Sequence, residues 1–177
     1  MTEKSLFAGV GGQGIISMGQ LWVYFAMQEG KNVTFFPFYG AEKRGGVARA
    51  GVIVSDEEIA SPLVTTPDST LVMNSDSLPV CEKIVKENGL ILINSSLVKE
   101  EPTRKGLKIA KIEATGIAEQ IGNLVFANMV ALGAMVKLTG AMKLADIEGM
   151  LMKFFPPDKH QYVPMNVKAI QAGYQAV

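Results

Sequence analysis

A glycine-rich turn set between two apolar segments constrains this chain more than any other feature. It reads Phe7-Ala8-Gly9-Val10-Gly11-Gly12-Gln13-Gly14-Ile15-Ile16. The run Ser5 to Ala8 before it is short and apolar, and Ile15 to Met27 after it repeats its apolar residues at helical spacing. The pattern predicts a strand, a tight turn and a helix. Gly9, Gly11 and Gly14 fit the G-x-G-x-x-G spacing, with Gly12 inside it. Such glycines let the chain turn at positive φ, let backbone N–H groups approach a ligand, and let the helix close on the strand. The free N–H groups at the start of the helix, near Gln13, would then face an anion, most often a phosphate. A strand-to-helix turn without a ligand is the other reading of the same residues, because the pattern alone is weak.

The helix is expected over Gly12–Glu29, with Ile15, Ile16, Leu21, Trp22, Phe25 and Ala26 facing a sheet and Gly30 ending it. Asn32 to Phe36 is β-branched and aromatic and predicts a second strand, closed by Pro37. Dinucleotide-binding folds place an Asp or Glu at the end of that strand to hold ribose hydroxyls. Phe36, Pro37 and Phe38 stand there instead, which argues against ordinary NAD binding. The loop Phe38-Tyr39-Gly40-Ala41-Glu42-Lys43-Arg44-Gly45-Gly46 mixes charge with paired glycine. Arg44 could fork onto a phosphate or carboxylate with Glu42 orienting it, or the loop could be a solvated turn.

Val47–Ser55 predicts a strand, Asp56-Glu57-Glu58 a turn, and Ile59–Val64 a short strand pairing back as a hairpin, so the sheet is expected to be mixed. Further strands are expected at Thr70–Asn74, Leu90–Ile93 and Leu107–Ile112, with a helix over Ser77–Glu87. Asn74 and Asn94 end two of these strands, where open α/β sheets place a ligand crevice; turn and cap roles explain them equally. Beyond Thr115 the chain reads as helical: Ile117–Leu138 as one long apolar helix, then Leu144–Phe155 and Met165–Gln175. The proline- and aromatic-rich segment between the last two suggests an arm lying on another subunit. The fold class is therefore α/β: a three-layer, Rossmann-like mixed sheet with helices on both faces, partly antiparallel over residues 47–64, in a single domain over 1–177.

Composition narrows the function. Lys plus Arg and Asp plus Glu number 17 each, so no net field favours nucleic acid or an anionic membrane. Hydrophobic residues make up 48% and charged ones 19%, below the roughly 25% usual in globular domains, and ten are Met. That balance suggests a surface covered by partner chains. One cysteine, Cys81, and one histidine, His160, exclude an iron–sulfur cluster or a Cys- or His-rich metal site within one copy. Cys81 reads as a helical thiol, His160 as a solvated loop residue, and no residue reads as a convincing acid, base or nucleophile. Leu124 to Val136 is apolar but spans only thirteen residues, where a membrane crossing needs about 20. Met1-Thr2-Glu3-Lys4 begins no signal sequence, so the cytoplasm is the expected compartment.

Taken together, Gly9-Val10-Gly11-Gly12-Gln13-Gly14, Tyr39-Gly40-Ala41-Glu42-Lys43-Arg44-Gly45-Gly46 and Gly89-Leu90-Ile91-Leu92-Ile93-Asn94-Ser95-Ser96-Leu97 closely resemble the gamma subunit of the 2-oxoacid:ferredoxin oxidoreductases. The similarity covers nearly the whole chain, is weakest from Lys143 onward, and is nearest to the 2-oxoglutarate and branched-chain types, with the pyruvate type also in range. The resemblance implies alpha and beta partner subunits, a delta subunit in some assemblies, and ferredoxin as an indirect partner. It implies thiamine diphosphate, Mg2+ and iron–sulfur clusters on those partners, no cofactor bound by this chain alone, and coenzyme A at the shared interface. A G-D-G followed by asparagine, the thiamine diphosphate signature, is absent here. The residues expected at the shared site are Gly9, Gly11, Gly12, Gln13, Gly14, Tyr39, Glu42, Arg44, Gly45 and Asn94. Two other readings stay open: an NAD(P)-dependent dehydrogenase, and a regulatory or assembly module that binds an anion.

Overall fold

The computed structural model describes residues 1–40 and 46–177. Among these residues six strands and six α-helices follow one another as β1 (Thr2–Val10), α1 (Ile15–Gln28), β2 (Asn32–Tyr39), β3 (Val47–Ser55), β4 (Ser69–Val72), α2 (Leu78–Ile84), β5 (Leu90–Asn94), β6 (Lys108–Ile112), α3 (Ala114–Ile121), α4 (Ala127–Thr139), α5 (Ile147–Phe154) and α6 (Val163–Gln175). The strands form one mixed sheet in the order β2-β3-β1-β4-β5-β6. β1, β4, β5 and β6 are parallel, and β3 runs antiparallel to both neighbours, β1 and β2.

β1 is apolar on both faces because both are covered. Phe7 points into the larger core with α1, α4 and α6, whereas Leu6 and Ala8 point into a smaller one with Leu78, Cys81 and Val85 of the α2 region. This is the three-layer arrangement expected, with its layers unequal. α1 buries Ile15, Leu21, Trp22, Phe25 and Ala26 as its spacing predicts, adds Met18, and leaves Ile16 only partly buried. Trp22 meets Phe7 edge to face at a centroid distance of 5.3 Å, a geometry that adds to the burial itself.

Three expectations are corrected. Residues 59–64 form no strand. Both edges of β3 are taken by β1 and β2, and Pro62 deprives the segment of a ladder donor, so the antiparallel character comes from β3 alone. β2 does not close at Pro37 but runs on to Tyr39. As the edge strand it can spare a donor. The single long helix from Ile117 is two helices. Gly122 (φ +121°) ends α3, and the Asn123 side chain accepts from the Val125 N–H to start a 3-10 turn that leads into α4. The apolar run outweighed this breaker pair in the linear reading. Among the described residues no helix is long and apolar enough to cross a membrane.

Candidate functional site

The glycine turn sits at the carboxyl end of β1 and is stapled from inside. The Gln13 side chain accepts from the Val10 N–H (2.9 Å) and donates to the Met73 carbonyl just beyond β4 (2.9 Å). The Gln13 N–H donates to the Val10 carbonyl (3.2 Å), and the Gly11 N–H donates to the Gly46 carbonyl (2.9 Å). Gln13 and the Gly11 amide therefore hold the turn's shape rather than reach into its cavity. The N–H groups of Gly12 and Gly14 meet no acceptor among the described residues. The first-turn amides of α1 join them, because a helix leaves those donors without intrahelical partners. Gly14, the residue before the helix, lies at φ +73° and ψ +22°, a region that L side chains adopt at a cost. Gly9 is held to glycine by close approach, since a Cβ there would lie 2.5 Å from Gln13 Oε1 and 2.7 Å from Ile15 Cδ1.

Gly12, Gly14 and the first residues of α1 line a trough. One cavity of about 290 Å³ lies between Gly12, Gly14, Ser17 and Tyr39, which is 63% exposed and forms a wall. A second, of about 200 Å³, lies on the other side of the turn between Gly12, Gln13, Met73, Leu97, Thr115 and Asn128. A third, of about 460 Å³, opens between Ser17, Asn128, Phe155, Lys159, Tyr162 and Asn166. Shared walls at Gly12, Ser17 and Asn128 make the three one surface feature. Its rim includes Leu124 and Val125, 54% and 66% exposed, which is a wet position for large apolar side chains.

The structure brings Gly11, Gly12, Gly14 and Tyr39 to one cavity and places Gln13 on the next. Asn94 does not join them. Fully buried at the end of β5, it donates from Nδ2 to Thr115 Oγ1 (3.0 Å) and fixes the approach to α3, while its Oδ1 is unpartnered. Asn74 is a cap whose Oδ1 accepts from Ser77 Oγ (2.6 Å). Glu42, Arg44 and Gly45 lie outside the described residues. The chain on either side of them is fixed: the Gly40 N–H donates to the Val47 carbonyl (2.7 Å), and the Gly46 carbonyl holds Gly11.

The linear reading missed Asn128, Ser17, Lys159 and Tyr162. Asn128 was the one with a signal, a polar residue interrupting an apolar run at the start of a helix. His160 is half-buried rather than solvated, with Nε2 2.9 Å from the Phe155 carbonyl. Cys81 is fully buried in the smaller core, and desolvation pushes its thiol up to about 12 despite nearby Arg49, so it is no nucleophile. No group of three or more His, Cys, Asp and Glu side chains able to hold a metal occurs among the described residues.

The case against a nicotinamide ligand rests on other ground than the sequence suggested. β2 is not the neighbour of β1. The reversed strand β3 intervenes and brings Val47 and Ala48 alongside Val10 and Gly9. The position where a ribose-binding carboxylate would stand is thus occupied by the start of an antiparallel strand.

A doubly wound sheet with one reversed strand beside β1, and a stapled glycine turn at the crossover, defines an open α/β protein with a crevice at the carboxyl end of β1. The chain belongs to the pyruvate ferredoxin/flavodoxin oxidoreductase family, whose model matches residues 4–176. It is 34% identical over 168 residues to the ketoisovalerate oxidoreductase subunit VorA of Methanothermobacter thermautotrophicus, covering 94% of this chain and 34% of that one. It therefore spans about a third of the length of that relative. It is 30% identical to the 2-oxoglutarate synthase subunit KorC of Methanothermobacter marburgensis, covering 100% of this chain and 97% of that one. The crystal structure of the keto/oxoacid ferredoxin oxidoreductase gamma subunit from Geobacter sulfurreducens superimposes with a TM-score of 0.83 at 30% identity, over 98% of this chain and 97% of that one.

Proposed function

We propose that this chain is the gamma subunit of a multi-subunit 2-oxoacid:ferredoxin oxidoreductase. Such an enzyme decarboxylates a 2-oxoacid oxidatively, forms an acyl-CoA and passes the electrons to ferredoxin. The chain's part is to shape the site and to hold the diphosphate of coenzyme A at the glycine turn. The observation that carries this reading is the row of amides at Gly12, Gly14 and the start of α1 that meet no acceptor among the described residues and whose residues line the trough. Convergent N–H donors at a helix start suit an anion bearing several oxygens, and diphosphate is one. Tyr39 lines the same cavity, and Arg44, with its sequence neighbours Glu42 and Gly45, is the charged contact this reading proposes.

The hard chemistry belongs to other polypeptides. One buried cysteine cannot hold an iron–sulfur cluster, and neither a thiamine diphosphate signature nor a metal-ligating group among the described residues fits that cofactor here. When bound on the partner alpha and beta chains, with delta where present, thiamine diphosphate with its Mg2+ supplies carbanion chemistry and the clusters supply electron transfer. This chain's own residues bind, orient and cover. The cytoplasm suits such an enzyme.

Replacing Arg44 with alanine in the assembled enzyme should raise the KM for coenzyme A several-fold and leave that for the 2-oxoacid unchanged. An unchanged KM for coenzyme A with assembly intact removes Arg44 from the site. The reading as a regulatory or assembly module that binds an anion keeps the same trough and differs in company. It predicts a stable lone chain carrying a metabolite, where the oxidoreductase predicts co-elution with thiamine- and cluster-bearing subunits.

A further inference from the structure

We infer that a groove on the opposite face of the sheet docks another subunit of the assembly through a carboxylate flanked by apolar side chains, received by Arg49. This rests on the reading above that the chain works beside other subunits. Over β2 and β3 the two faces of the sheet are treated differently. α1 packs on one face, and on the other the irregular stretch at 63–65 and Ile84 of α2 lie near, with no helix laid across it among the described residues. The pleat sends Phe36 and Phe38 of β2, and Arg49 and Gly51 of β3, to this second face, in register as Phe36 opposite Gly51 and Phe38 opposite Arg49.

These residues, with Leu63 and Ile84, line a groove of about 220 Å³. Its rim is wet and apolar, with Phe36, Phe38 and Leu63 exposed by 46%, 51% and 52%. A contiguous exposed patch of two aromatic rings and a leucine is what a solvent-facing sheet avoids and an interface uses. The Arg49 guanidinium sits 5.9 Å from the centre of the Phe38 ring. No carboxylate among the described residues pairs with it. A half-buried guanidinium stacked on an aromatic ring, with its N–H fork unspent, is complementary to an acid. Arginine in that setting is also a frequent binding hot spot. Beside the groove β2 is the sheet edge, so the patch runs to the margin of the molecule, where a neighbour can reach it. A second copy docked face to face would set Arg49 near Arg49, like charge against like, so charge complementarity points to a different, acid-bearing subunit as the occupant.

The test is amide exchange on the assembled enzyme purified with its partners, set beside this chain alone. The account predicts that residues 32–39 and 61–66 exchange at least about tenfold more slowly in the assembly. It also predicts that Arg49→Glu and Phe38→Asp each weaken association about tenfold or more, while Met152→Gln on the far face does not. Circular dichroism of each variant separates lost docking from lost fold, and the exchange result needs no variant. If partners co-elute but the groove exchanges as fast as in the free chain, the inference fails and the proposed function stands. If the free chain dimerises through this face and assembly ignores both variants, the groove binds a second copy and the inference fails. If no other chain co-elutes, both fall together.

Discussion

Alanine at Gly14 perturbs the turn in two separable ways, and their sum can be worked out from the geometry. Gly14 holds φ +73° and ψ +22°, a left-handed conformation that costs an alanine roughly 1–2 kcal/mol. A Cβ there would also overlap Asn128 Nδ2 and lie 3.0 Å from Asn128 Cγ and 3.3 Å from its Cβ. Carbon atoms prefer a separation of about 3.5–4.0 Å, so the Asn128 side chain must swing aside by roughly half an ångström or more. Swinging it breaks the bond its Oδ1 accepts from the Met129 N–H (2.9 Å). That bond contributes about 1 kcal/mol. Gly14→Ala should therefore destabilise the fold by about 2–3 kcal/mol. Asn128→Ala removes the amide that stands nearest, keeps only the Cβ at 3.3 Å, and leaves the backbone strain. The double variant should then be about 1 kcal/mol more stable than the two single losses added together. Urea unfolding of the four proteins, followed through the buried Trp22, measures that coupling. Strict additivity would refute the contact between the turn and α4, and a Gly14→Ala loss well under 1 kcal/mol would refute the strained conformation itself.

Two further outcomes follow from other parts of the molecule. α4 and α6 touch backbone to backbone: a Cβ on Gly133 would lie 2.8 Å from the Ile170 carbonyl carbon, and one on Gly173 would lie 2.7 Å from that of Val130. Gly133→Ala gains about 1 kcal/mol of helix propensity yet should lose stability in urea melts by roughly 1–2 kcal/mol net, because no rotamer can move a backbone obstacle; a stabilised variant contradicts this. Burial raises the Glu3 carboxyl above its ordinary range against the bonds it accepts from Ser69 and Ser5. Its contribution to stability is thus fully present below the unfolded carboxyl range, near pH 4.5, and is lost as pH rises through the raised value. Glu3→Gln should match the parent near pH 4 and become the more stable of the two by pH 8, and a difference that shrinks as pH rises contradicts the sign.

Local pattern made much of this fold legible. The strand, turn and helix around Gly9 to Gly14 occur in the order their spacing implies, though the strand runs over Thr2–Val10 and the helix starts at Ile15 rather than Gly12, and β3 spans the Val47–Ser55 read from its β-branched residues. Strand order was hidden because adjacency in a sheet is not local. Nothing between Asn32 and Ser55 says that β3, not β2, takes the place beside β1. Gln13 reads as a ligand contact from its place in the motif, but the orientation that makes it a staple depends on Met73, sixty residues away. Asn94 drew attention as a strand-end polar residue, and the structure gives it Thr115 instead of the trough. Asn128, Lys159 and Tyr162 converge only because the helices beyond Ala114 fold back over the end of the sheet.

The most direct test of the central claim is a structure of the assembled enzyme with coenzyme A bound. The account predicts a diphosphate oxygen within about 3 Å of the Gly12 or Gly14 amide nitrogen, with Tyr39 beside it. A coenzyme seated wholly on other subunits, with partner backbone filling the turn, would contradict it.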